Sequence, residues 1–228
     1  MIDAGPRSSR TGGARAQRSS LPSGAHRTPH TMTPPPLNTP SLERQLRSRL
    51  LSSADRLFDR SGFGPVSVGR IARDADLPLE TLRREFPTKH QLVVAVMEAR
   101  HRSWVADLTA AVSVFTDPRD QILAVFSYLE ATFRQRSYRG CAFINGYGEL
   151  GRRNADVAQL ADEHLTWFER YLAELCDRAG LPGHLAHAVS LLAEGAQVEA
   201  AIHGSVRPAS SARSAAAMLI AVYTVEGH

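Results

Sequence analysis

The 228-residue chain reads as an all-α protein on three observations. Apolar residues recur at spacings of three and four from residue 41 onward. No segment alternates apolar and polar residues over strand length, and no Asn-Gly turn joins two apolar runs. Capping residues, Gly and Pro fall at helix-length intervals.

Taken in order, residues 1–40 hold seven prolines, ten Ser/Thr, four Gly and almost no large apolar side chain. Such a segment buries too little surface to offset its ordering entropy, which predicts a disordered basic tail, with Met32 as an alternative start. In Ser41–Ser61, Leu42, Leu46, Leu50, Ala54, Leu57 and Phe58 form one helical face, with Ser41 as cap and Gly62 as stop. Short helices are expected from Ser67 and from Leu79, separated by Asp76-Leu77-Pro78. Thr88 with Gln91 three residues on reads as a capping box, with Leu92, Val93 and Val96 turned inward. Pro118, Gly140, Asp156, Pro182 and Pro208 punctuate four or five further amphipathic stretches.

Composition narrows the class. Two cysteines, Cys141 and Cys176, cannot make a disulfide scaffold or a four-thiolate zinc site. The longest uncharged apolar run, Ala215 to Tyr223, is about half of what a bilayer span needs. A cytoplasmic chain with no membrane partner is the expectation. Net charge is +4 over residues 1–40, +4 over 41–103 and −4 over 104–228. A basic front on an acidic back points to a polyanion meeting the front.

Residues 67–86 read as a helix-turn-helix. Val68, Ile71, Ala72 and Ala75 give the first helix its buried face, Leu77 plugs the turn, and Leu82 and Phe86 anchor the second helix. Small alanines suit two helices that cross closely. Leu79, Glu80, Thr81, Arg83 and Arg84 are left pointing outward. Arginine can read guanine with two hydrogen bonds, and Thr or Arg can hold phosphate. The same pattern fits an ordinary helical hairpin with a solvated face.

These residues resemble the TetR family of transcriptional regulators. The likeness runs from about Leu46 to Leu92, through Leu57-Phe58, Gly62-Phe63, Ser67-Val68, Ile71-Ala72, Thr81-Leu82, Phe86-Pro87-Thr88-Lys89 and Leu92. It implies DNA contacts at Ser67, Arg70, Leu79, Glu80, Thr81, Arg83, Arg84 and Lys89, the last being the only lysine in the chain. A lysine at a helix N-terminus is a sound phosphate anchor on physical grounds as well. Two positions depart from the family pattern: Asp76 stands where the turn usually has Gly, and Arg83 where the second helix usually has Tyr. Further on, Gly140 to Asn145, Glu149-Leu150, His164, Trp167, Leu191-Leu192 and Glu194-Gly195-Ala196 resemble one branch of the family.

The resemblance implies three parts: the tail (1–40), a DNA-binding domain (41–87), and a ligand-binding and dimerisation domain (88–228). It implies a homodimer on a palindromic double-stranded operator, released when a small-molecule effector binds, with neither catalytic residues nor a cofactor. Aromatic residues concentrate between 104 and 168, where such a pocket would lie. Trp104, Phe126, Phe143, Tyr147, His164, Trp167 and Phe168 are the candidate effector contacts, each competing with a plain core role. A helical interaction module or small-molecule-converting module without specific DNA binding is the alternative.

Other signals weigh less. Gly146-Tyr-Gly148-Glu-Leu-Gly151 matches a dinucleotide fingerprint but has no strand before it, so close helix packing is the better reading. His184 and His187, with His203 further on, lack an indicated third ligand, so no metal is expected. Cys141 and Cys176 read as inert buried thiols. The last two helices carry more apolar residues than one core needs, among them Ala186, Val189, Leu192, Ala196, Ala200, Ala215, Met218, Leu219 and Val222. That excess predicts a four-helix dimer interface with Leu219 inside it.

Overall fold

The computed structural model describes residues 39–225, with side chains from 41 to 223; of the expected tail, residues 1–38 lie outside them, and Thr39 and Pro40 are helical. Every regular element among the described residues is helical. The helices are α1 (Thr39–Ser61), α2 (Val68–Asp74), α3 (Leu79–Glu85), α4 (Lys89–Val112), α5 (Pro118–Phe133), α6 (Ala142–Leu150), α7 (Ala155–Arg178), α8 (His184–His203) and α9 (Arg207–Val225). A single 3-10 turn, Gly151–Arg153, joins α6 to α7.

Local chemistry sets the boundaries. The Ser67 hydroxyl accepts the Arg70 N–H at the start of α2, and Asp117 and Asn154 do the same for α5 and α7. Thr88 and Gln91 close a capping box at α4, each bond 3.1 Å long. Gly62 and Gly204 follow α1 and α8 with φ of +74° and +58°. α1 begins at Thr39, so Ser41 lies inside its first turn and is not the cap. Pro40 is well placed there, because the first-turn N–H groups have no intrahelical partner.

Two apolar cores are stacked along α4. The first gathers Leu50, Leu57 and Phe58 of α1, Phe63, Ile71, Leu82, Phe86, and Leu92, Val96 and Met97 from the first half of α4. Cys141, Phe143, Val157 and Ala161, from α6 and α7 and the residue before α6, complete it. The second gathers Leu108 and Val112 from the far end of α4 with the inner faces of α5, α7, α8 and α9. α4 has 24 residues and is about 36 Å long, enough to serve both.

Candidate functional site

α2 and α3 cross over Ile71, Ala72, Ala75 and Leu82, all buried. Leu77 is half-buried in the turn between them, as its pattern predicted. Asp76 takes φ +51°, and Arg49 of α1 donates to the carbonyls of Ala75 (2.6 Å) and Asp76 (3.1 Å). A left-handed residue is thus held from behind by a guanidinium. Arg47 braces the other end of the motif, pairing with Glu85 at 2.5 Å and lying over the Phe86 ring.

This packing presents Glu80, Arg83 and Arg84 to solvent from α3, with Thr81 half-exposed beside them. Ser67 and Arg70 are exposed at the start of α2. Leu79 is a correction: it does not point outward but is half-buried, its apolar side chain packed against the first core. Lys89 reaches the α1–α2 loop, where its ammonium donates to the Gly64 carbonyl at 2.8 Å. Burial lowers its pKa, partly countered by the nearby Glu149 carboxylate.

A cavity of about 1030 Å³ opens at the junction of the two cores. Of the seven aromatic and histidine candidates, it brings together Trp104, Phe143 and His164. Phe126 and Phe168 are corrections, both about 1% exposed and filling the second core. Tyr147 is another, 52% exposed, with its ring covering the place where a Gly151 side chain would stand. Trp167 lies one layer back, 5.9 Å from Trp104 and stacked on Tyr171. Tyr128, one of the aromatics concentrated between 104 and 168, also lines the space, as do Tyr138, Arg100 and Gln197, which were not singled out in the sequence. Arg100 is engaged by the Asp55 carboxylate and carbonyl.

His164 is the polar centre of the wall. It is 2% exposed, stacked on Phe143 at 3.8 Å and edged by Trp104 at 4.6 Å. Its Nδ1 meets Nδ1 of His101 at 3.1 Å, so one ring donates and the other accepts. Burial first, and the neighbouring His101 second, pull its pKa down to about 3, so it is neutral near pH 7. Burial raises Glu194 to about 7, and its Oε2 accepts from Gln197, which lines the cavity.

The discounted motifs resolve by contact. Gly146 packs where a Cβ would stand 3.2 Å from Met97, so it serves close helix packing, whereas Gly148 has open space beside it and Gly151 lies under the Tyr147 ring. His184 bonds the Tyr223 hydroxyl at 2.8 Å, and His187 faces Glu169 at 3.3 Å. Among the described residues, no three His, Cys, Asp or Glu side chains converge as a metal site. Cys141 and Cys176 are buried in different cores, and burial pushes the Cys141 thiol up to about 12. No helix among the described residues is long and apolar enough to cross a membrane.

An exposed arginine-bearing second helix of a helix-turn-helix, mounted on a helical bundle with a cavity, defines a class: DNA-binding regulators. Residues 50–96 match the family described as bacterial regulatory proteins, tetR family. Residues 50–96 accordingly carry a DNA-binding domain of the TetR type. Its fold is similar to that of a TetR-family transcriptional regulator from Streptomyces coelicolor, at 24% identity and TM-score 0.71, covering 79% of this chain and 96% of that one. A TetR regulator from Chloroflexus aurantiacus is similar at 19% identity and TM-score 0.72, with the same coverage. Reduced NemR of Escherichia coli is similar at 22% identity and TM-score 0.68, covering 75% and 95%. No curated protein matches the chain in sequence.

Proposed function

We propose that the protein is a cytoplasmic, homodimeric repressor that leaves a palindromic operator when a small molecule enters the cavity. The observation that carries this reading is a solvent-facing Glu80, Thr81, Arg83, Arg84 surface joined by α4 to a cavity with a neutral, buried His164. Arg83 and Arg84 supply base-edge or phosphate hydrogen bonds, and Ser67, Arg70 and Lys89 hold the flanking backbone. Lys89 meets phosphate by exchanging its Gly64 carbonyl for the anion. Trp104, Phe143 and His164 contact the effector directly, while Trp167 supports Trp104. Residues 41–87 act as the reading head and 88–228 as the regulatory part, although packing joins them through the shared first core.

Two heads must lie about 34–36 Å apart to enter successive major grooves. Exposed apolar stripes supply the dimer contact: Leu191, Val198 and Ile202 on α8, and Met218 and Val222 on α9. Ala186, Val189, Ala196 and Ala200, expected at that interface, are buried in the monomer core. Leu219 is half-buried against the same core, so the stripe is offset by one residue.

The test is a gel shift on DNA upstream of the protein's own gene across a salt series. The wild type is expected to form a salt-sensitive complex. Replacing Arg83 and Arg84 with Ala should weaken it at least roughly tenfold and reduce the salt slope by about 1 to 2, without changing the oligomer. Undiminished binding by the double variant would mean that α3 does not read DNA.

A further inference from the structure

We propose that Glu149 couples the cavity to the reading head, as a positioning residue that holds the α1–α2 loop from the end of α6. The proposal rests on the reading of α3 as the DNA-contacting helix and of the cavity as the effector site. Its support is a continuous line of contacts.

α6 has nine residues and is about 13 Å long. Its first turn stands in the cavity wall, where Cys141, Ala142 and Phe143 line the space and Phe143 stacks on His164. Its last turn delivers Glu149 to the head. Oε2 accepts the Phe63 N–H at 2.9 Å and Oε1 accepts the Gly64 N–H at 2.5 Å. Two consecutive N–H groups on one carboxylate fix both its position and its orientation, and such charge-assisted bonds are the strong ones. The loop is shaped for this guest. A Cβ on Gly62 or Gly64 would lie 3.0 or 3.1 Å from a Glu149 carboxylate oxygen.

The line continues beyond the loop. The Gly64 carbonyl takes the Lys89 ammonium, and three residues later Ser67 caps α2. A shift of α6 is therefore felt at once by the start of α2 and by the first turn of α4. That turn is tethered separately to α7: His90 lies 2.7 Å from both the Asp156 carboxylate and the Asn154 amide. One attachment pivots on α7 while the other moves with α6. A change at Phe143 is thereby converted into a tilt of the head rather than a translation of the whole molecule.

The experiment uses the full chain and a side chain as surrogate for an effector. Ala142→Trp places bulk into the cavity from α6, with Ala142→Leu as the milder variant if the first does not fold. Hydrogen exchange at the Phe63 and Gly64 amides is read without DNA. Glu149→Ala should lose protection at both amides by at least tenfold, Glu149→Gln should keep part of it, and Ala142→Trp should alter it only when Glu149 is present. On upstream DNA, Ala142→Trp should shift the Kd at least fivefold in the wild type and less than twofold in Glu149→Ala. Gly64→Ala, crowding the carboxylate from the loop side, should give the same insensitivity with Glu149 intact. Unchanged amide protection in Glu149→Ala, or additive effects of the two substitutions on DNA binding, would overturn the proposal. If the wild type binds no upstream DNA, the repressor reading fails, and the amide exchange still decides the role of Glu149.

Discussion

Asp76 is the residue at which this chain's helix-turn-helix carries backbone strain, being the non-glycine with positive φ among the described residues. A Cβ in that region crowds the backbone, and Asp only partly offsets this. Its carboxylate is fully exposed and 3.9 Å from Arg49, a pair worth little. Asp76→Gly keeps the carbonyl bonds to Arg49, and should raise stability by about 0.5–1 kcal/mol in urea unfolding. A second residue-scale consequence concerns two opposed titrations. His164 is held far below its usual 6.5, so it contributes stability that falls as pH drops below 6.5. Glu194 is held above its usual 4.5, so its contribution is full below 4.5 and is lost as pH rises through about 7. Between 4.5 and 6.5 the two slopes cancel. Glu194→Gln should therefore make stability fall with acid across that window, and His164→Gln should make it rise. The two variants should diverge by up to about 3 kcal/mol per pH unit in urea titrations.

At the scale of elements, the strongest predictions from sequence were the ones written in caps and periods. The Thr88–Gln91 box and the stop at Gly62 stand as read, and the short helix expected from Ser67 begins one residue later with Ser67 as its cap, because each rests on residues within a few positions of one another. Thr88→Ala removes the half of the box in which the Thr88 hydroxyl accepts the Gln91 N–H, leaves the Thr88 N–H to Gln91 bond, and should cost about 1 kcal/mol, measurable by urea unfolding. The start of α1 was less legible, since a Pro that suits a first helical turn sits among others that argue for disorder. The cavity was legible only in part. Its wall draws on α1, α4, α5, α6, α7, α8 and the α5–α6 loop, so membership depends on long-range packing that no local pattern encodes. Phe126 and Phe168 have the same composition signal as Phe143, and helical phase alone turned them to the second core. Gln197 and Tyr138 carried no signal, being a polar residue on an apolar helix and a loop aromatic. Glu149 was visible as part of a resemblance, but its partners lie more than eighty residues away.

For the molecule as a whole, the proposed dimer rests on the exposed apolar residues of α8 and α9. Ile202 is 72% exposed and Met218 69%, large apolar side chains that a partner surface would cover. Met218→Asp puts an unpaired charge in that contact without touching the monomer core, and should yield folded monomers that no longer retain operator DNA. Sedimentation and the gel shift together check it; a folded dimer would place the interface elsewhere.

The shared first core has a consequence for building hybrid regulators. Cys141, Phe143, Val157 and Ala161 sit in the same apolar cluster as Leu57, Phe63 and Leu82. A head excised at residue 87 would leave that cluster open on one side and exposed to water. Moving this operator specificity onto a foreign bundle therefore means transplanting a patch that is scattered in sequence. The first half of α4, Cys141 with the first turn of α6, and the first two turns of α7 must travel with α1–α3, or the recipient must already offer side chains of matching volume at those places. Conversely, the outer face of α3 takes no part in the cluster and can be rewritten freely. New operator sequences are thus reached more cheaply by editing Glu80, Thr81, Arg83 and Arg84 in place, with buried Leu82 kept, than by exchanging heads.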